Sequence, residues 1–354
     1  MKKLFFLTLL SLLFVFQAVA EEPIGVVLNS NTNSFHFINP LTQKLSDSML
    51  KGYLGSYGGG LFDVVFTPNG KKAIISNFGD SRIFIVDISG GFSAQPEILG
   101  YVDIPFFAED MDVTPDGKYV LITDGGFTSK VAVVDIGNYE LVFNYNLNGN
   151  QAQAVAISPD GKIVVFADYW NQAIHSYLLG EDGTLKFAQS IQMMGRPVNV
   201  VISPDGRTVI AVDSARYDCP VFKLNPDGGL AEKSIVTLSS KSGQSCVFSK
   251  DGTKAYYLSS SVTYGPRINI INISGPGIAT SGGFIQMSIP RGTSQLFGVD
   301  TIAIDPSGNY LYVSNPTLSG GVVEVTVIDL TTNTEVNQLH CNGLPTGINF
   351  TTIQ

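Results

Sequence analysis

A tight turn recurs six times along this chain: Pro68-Asn69-Gly70, Pro115-Asp116-Gly117, Pro159-Asp160-Gly161, Pro204-Asp205-Gly206, Lys250-Asp251-Gly252 and Pro306-Ser307-Gly308. Proline presets φ at one turn position, and Asp or Asn followed by Gly tolerates positive φ, so each triplet can reverse a strand within a few residues. One such turn says little. Six of them, with glycines at positions 70, 117, 161, 206, 252 and 308, mark a repeat architecture. The 37 Gly and 17 Pro interrupt every long helix the chain could form, which excludes coiled coils and helical solenoids. Disorder is excluded too, because 44% of the residues are hydrophobic and only 14% are charged.

Apolar strands flank each turn. Val64-Val65-Phe66, Val155-Ala156-Ile157, Val200-Val201-Ile202 and Ile302-Ala303-Ile304 precede turns; Ala73-Ile74-Ile75, Tyr119-Val120-Leu121-Ile122 and Ile163-Val164-Val165-Phe166 follow them. A third strand comes after a short polar loop, as in Ile83-Phe84-Ile85-Val86 and Val131-Ala132-Val133-Val134, and a fourth, more alternating one closes each unit. Near-continuous β-branched runs belong to strands buried on both faces. Four strands per roughly 45 residues make the blade of a β-propeller. The two ends supply the count. Ile24 to Asn29 matches a second strand with no first strand before it, and Gly343 to Phe350 reads as a first strand with nothing after it. Together they complete one blade. The expectation is an all-β, seven-bladed propeller of four-stranded antiparallel blades, closed by pairing the C-terminal strand with the N-terminal blade and occupying residues 21–354 as a single domain.

Tyr310-Leu311-Tyr312-Val313-Ser314-Asn315, then Val327-Ile328-Asp329 with Thr331-Thr332, then Gly343-Leu344-Pro345, resemble the repeat of the YVTN family of seven-bladed propellers. That resemblance spans essentially all of the mature chain and implies the fold. The wider group is similar to lactonase-like propellers, including 6-phosphogluconolactonases, and to quinoprotein-like propellers. It therefore implies a hydrolase or a quinone-linked enzyme as alternatives to a pure scaffold. The His and Arg clusters those relatives use have no counterpart that aligns here, so no catalytic residue is carried over. No quinone ligand is identifiable, and no cofactor is expected.

The N-terminus reads as an export signal. Lys2 and Lys3 precede an uncharged, mostly apolar run from Leu4 to Phe16, and Ala18-Val19-Ala20 places small residues at cleavage offsets. That run is too short for the roughly 20 residues a spanning helix needs. The protein is expected to be periplasmic or secreted after cleavage at residue 20, and monomeric. Its formal charge of −9 disfavours nucleic acid and anionic lipid as partners. Cys219, Cys246 and Cys341 are too few and scattered for a disulfide framework; buried thiols fit best, with a Cys219–Cys246 bridge as the alternative.

In such a ring, first strands line the axial channel. The short Pro-Asp-Gly turns lie on one face, and the longer loops and blade-to-blade connections on the other. Function is expected on that second face, where loops are long on a rigid scaffold. The position five residues before each turn reaches the channel mouth and holds Asp63, Asp110, Ala154, Asn199, Ser245 and Thr301. Glu109 and Asp300 lie one step further out, and Asp112 two residues deeper. Asp63, Asp110, Asp112 and Asp300 would suit Ca²⁺ or Mg²⁺; Asp63, Asp110 and Asp300 could also serve as acid or base, with Arg196 and Arg291 clamping an anionic group. The bland alternative is structural acids that accept loop N–H groups, and arginines paired with local acids. Tyr169, Trp170, Arg216, Tyr217 and Tyr264 are the candidate contacts to a protein, a glycan or a small molecule, since exposed aromatic rings stack on sugars and partner surfaces. His36, His175 and His340 fall in third and fourth strands, so a Ser-His-Asp triad or a His-based metal site is unsupported. The leading expectation is a binding propeller; the alternative is a lactonase-type hydrolase.

Overall fold

The structure is a computed structural model and describes residues 21–55, 60–126, 129–147, 151–259, 265–288, 301–316 and 323–354. Seven four-stranded antiparallel sheets form the blades of a propeller. Blade 1 is composite. Its inner strand is Pro345–Ile353 from the C-terminus, followed outward by Glu22–Asn29, Ser34–Asn39 and Lys44–Leu45. Val27 pairs directly with Ile348, and Glu22 with Ile353, so the two ends of the chain share one sheet. The inner strands of blades 2 to 7 are Leu61–Phe66, Ala108–Val113, Ala154–Ile157, Pro197–Ile202, Gly243–Phe248 and Ile302–Ile304.

Second strands such as Tyr119–Asp124, Ile163–Asp168 and Thr208–Asp213 are buried along their whole length, as their β-branched runs require. Outermost strands alternate instead, with Tyr101, Phe187 and Ile235 about half exposed. Blade 1 departs from the repeat. Its fourth strand is only Lys44–Leu45, and Met49 takes over by bridging to Phe35. Each Pro-Asp-Gly turn carries its glycine at positive φ, for example Gly117 at 72° and Gly206 at 71°. The aspartate is fixed by a hydroxyl two residues earlier: Thr114 Oγ1 donates to Asp116 and Ser158 Oγ to Asp160. These bonds contribute to holding both turn carboxyls below the usual carboxylate range.

No helix among the described residues is long and apolar enough to cross a membrane. Cys219, Cys246 and Cys341 are buried and free, and burial pushes their thiols up, that of Cys341 to about 12. The Cys219–Cys246 bridge is therefore not formed here.

Candidate functional site

The inner strands place Asp63, Asp110 and Asp112 where counting from the turns put them, but they do not converge on the axis. Each reaches sideways to the next blade. Asp63 Oδ2 accepts from Met111 N at 2.9 Å, Asp110 Oδ2 from Val155 N at 2.7 Å, and Asp112 Oδ2 from Ile157 N at 2.7 Å. Asp63 and Asp112 also accept from the backbone N–H that follows them. The expected loop donors are in fact strand donors, and the three acids staple blade 2 to 3 and blade 3 to 4. Their counterparts Ser245 and Thr301 are too short for this, and Ser245 Oγ and Thr301 Oγ1 are buried with no hydrogen-bond partner among the described residues. Asp112 also borders an axial cavity of about 310 Å³ shared with Asn199 and Asn349. Among the described residues no group of three or more His, Cys, Asp or Glu could hold a metal ion. Asp300, Arg291 and Tyr264 lie outside the described residues, as do residues 1–20.

A different acid stands at the mouth. Glu109, half-buried, lies against Gly125, where an added Cβ would meet Glu109 Oε2 at 2.8 Å and the Phe78 ring at 2.5 Å. The absent side chain of Gly125 is what lets the carboxyl and the ring occupy this corner. Burial pushes the Glu109 carboxyl up to about 7; Gln153, whose Nε2 lies 3.5 Å from Glu109 Oε1, opposes the shift, and the nearby charge of Asp124 adds to it. The other end of that amide, Gln153 Oε1, is buried and accepts no hydrogen bond among the described residues. Beside Glu109 three rings stack in a row: Phe62 on Phe78 with centroids 5.0 Å apart, and Phe78 on Phe107 at 4.8 Å and 13°. Phe107 is 45% exposed, so the row ends in an open aromatic surface. These parts come from the inner strands of blades 2 and 3, the loops after their second strands, and the connections into blades 3 and 4. Glu109 lies one step beyond the position counted from the turn, and its desolvation has no local signature in the sequence.

Further round the same face, Arg196 Nη1 donates to Tyr169 Oη at 3.1 Å, and the guanidinium carbon lies 5.2 Å from that ring's centroid. Tyr169 meets Trp170 edge-on at 5.1 Å, and Trp170 is 51% exposed. Arg196 thus rests on an aromatic residue rather than on an acid. Arg216, a candidate partner contact, pairs with Asp218 at 2.7 Å, beside the exposed Tyr217.

The polar residues ending the second strands organise loops. Asp124 accepts from Gly126 N, Asp213 from Ala215 N, and Asp168 from Asn171 N and Gln151 N. Asp168 also meets His175 Nε2 at 3.0 Å, a buried pair not foreseen from the sequence. Burial works against the Asp168 charge, but these hydrogen bonds outweigh it and hold the carboxyl below its usual range.

Residues 124–248 match the family model described as lactonase, 7-bladed beta-propeller. Over that stretch, about a third of its length, the chain is similar to the lactonase-like propellers. No curated protein matches it in sequence. Among solved structures, a functionally unknown protein from Desulfotomaculum acetoxidans superposes with a TM-score of 0.79 at 16% identity, covering 92% of this chain and 98% of that one. The periplasmic gluconolactonase of Pseudomonas aeruginosa gives 0.74 at 13% identity, covering 94% and 100%. A putative 6-phosphogluconolactonase from Bacteroides uniformis gives 0.72 at 14%, covering 93% and 100%. At such identities these likenesses establish the propeller fold alone.

Proposed function

We propose that this lactonase-like propeller is an exported hydrolase of small cyclic esters of the sugar-lactone class, acting at the channel mouth on its long-loop face. The observation that carries the reading is the half-buried Glu109 carboxyl, poised near neutral pH beside the open end of the Phe62–Phe78–Phe107 stack. A carboxylate with a pKa near the working pH is suited to general-base catalysis. Ionised Glu109 would take a proton from a water as its oxygen attacks the lactone carbonyl. The tetrahedral adduct then collapses with cleavage of the ring C–O bond, and the proton passes to the departing alkoxide, leaving the open hydroxy acid. The face of Phe107 would support one side of the lactone ring, and the buried Gln153 Oε1 would accept from a ring hydroxyl. Arg196, which has Tyr169 rather than an acid as its partner, would attract an anionic substituent.

Purified mature protein assayed on a panel of aldonolactones, with spontaneous hydrolysis subtracted, tests this. Turnover is expected to rise with pH through about 7 as Glu109 ionises, and Glu109→Gln should lower it by about 100-fold or more. Asp110→Asn should leave it largely intact, since that carboxylate joins blades. Absence of turnover, or turnover indifferent to Glu109→Gln, would sink the reading.

A second reading, a recognition surface for a protein or glycan, is favoured by the exposure of Trp170 and Tyr217 on this face. Its signature is a reproducible partner that is lost on Trp170→Ala.

A further inference from the structure

On the opposite face, between the turns of blades 4 and 5, lies a cavity of about 530 Å³, within the ordinary size range of small-molecule sites. Its construction is local and specific. The turn joining the third and fourth strands of blade 5, Asn225 to Gly229, folds over onto blade 4: Ser176 Oγ donates to Gly228 O at 2.6 Å, and Leu230 N donates to Gln189 Oε1 at 2.7 Å. Gly228 has φ +83°, and a Cβ there would stand 2.9 Å from that of Ala188, so the turn sits as close to its neighbour as a backbone can. The wall is thus fixed before any ligand arrives.

Its lining carries charges of both signs that do not pair. Arg207 and Lys223 border the cavity together with Asp160 and Asp205, yet neither cation has a hydrogen bond from its side chain or an ion pair among the described residues. The equivalent turn residue in blade 3 shows what a structural cation does in this ring: Lys118 Nζ donates to Glu181 O of the next blade's turn at 3.0 Å. Asp160 and Asp205 each use Oδ1 for their own turn, accepting from Ser158 Oγ and Ser203 Oγ. Ile163 and Leu224 supply apolar surface between the charged groups. A lining of one sign would suit a simple ion. Opposite charges that share a cavity but stay apart are complementary to a molecule that carries both.

We propose that this cavity is a second ligand site, for a small dipolar molecule with one carboxylate and one ammonium, of the apolar α-amino acid class. Arg207 and Lys223 receive the carboxylate, Asp160 and Asp205 the ammonium, and Ile163 with Leu224 the side chain.

The test is calorimetric or NMR titration of the full mature protein with L-leucine, alongside isovalerate and isopentylamine, which each carry one of its two charges. Leucine should saturate in the millimolar range or tighter, and each single-charge probe should bind about tenfold more weakly or worse. Arg207→Gln and Asp205→Asn should each weaken leucine by about tenfold, while Glu109→Gln on the other face leaves it unchanged. Asp205→Asn is a safe substitution for the turn, because blade 2 already uses Asn69 there, accepting from Thr67 Oγ1; melting curves verify that both variants are folded. Failure of leucine to bind in that range, equal binding of a single-charge probe, or indifference to both substitutions overturns the proposal.

Discussion

Glu109 shows how a single carboxyl couples the surface of a rigid ring to pH. Its folded-state pKa of about 7 stands above the ordinary 4.5 because burial against Gly125 and Phe78 disfavours the charged form. Between those two values the unfolded chain has released the proton and the folded protein still holds it. Stability from this group is therefore fully present below about pH 4.5 and is lost as pH rises through about 7. Glu109→Gln keeps the shape and removes the titration. The variant should match the parent at pH 4 and exceed it at pH 8 by on the order of 2 kcal/mol. Denaturant unfolding across that range is the measurement, and a constant difference between the two proteins would contradict the assignment. The residue scale is also where the sequence was least legible. Asp63, Asp110 and Asp112 could be placed by counting back from a turn, but their acceptor role could not, because Met111, Val155 and Ile157 lie 45 to 48 residues away across a blade gap. The desolvation of Glu109 depends on Phe78, Gly125 and Gln153, which come from three separate loops and share no local pattern.

Elements were far more legible, and for a physical reason. Strand, turn and loop-organising residues act on neighbours a few positions away, so Thr114 with Asp116, or Asp135 with Gly137 N, leaves a signature that recurs in several blades. The exception is instructive. Asn29 ends its second strand as Asn77 and Asp168 do, and the loop after it, residues 30–33, is as long as theirs, yet both of its side-chain polar atoms are buried without a hydrogen-bond partner among the described residues. What a repeat does not encode locally is how one blade holds the next. For that the inner strands use their acids. Asp110→Ala would leave Val155 N–H buried and unpaired, a loss of about 1–3 kcal/mol, whereas Asp110→Asn retains an acceptor oxygen and should lose less. Urea titration at pH 7 should show the midpoint falling in that order with an unchanged slope. A larger effect of the two substitutions on lactone turnover than on stability would return Asp110 to the catalytic candidates.

Closure is a property of the whole molecule, since neither end of the chain can satisfy its own sheet. The strand Pro345–Ile353 pairs with Glu22–Asn29 on one side and packs toward blades 2 and 7 on the others: Thr346 Oγ1 donates to Leu61 O at 2.9 Å, and Phe350 lies 4.6 Å from the ring of Tyr312. The fit is tight enough that a Cβ on Gly25 would stand 2.4 Å from Phe350, and one on Gly70 2.2 Å from Thr352 O. Removing residues 343–354 would uncover the inner edge of blade 1, a row of unpaired N–H and C=O groups next to apolar surface, which is a template for another chain. The shortened protein should therefore elute from gel filtration as oligomers or aggregate and should melt at a lower temperature. A synthetic peptide of residues 343–354 should restore the monomer, because strand addition in trans rebuilds the same ladder. If the shortened protein instead stayed monomeric with an unaltered melt, the terminal strand would not be what holds the ring closed. The channel mouth, whose walls depend on that ring, would then need another explanation for its rigidity.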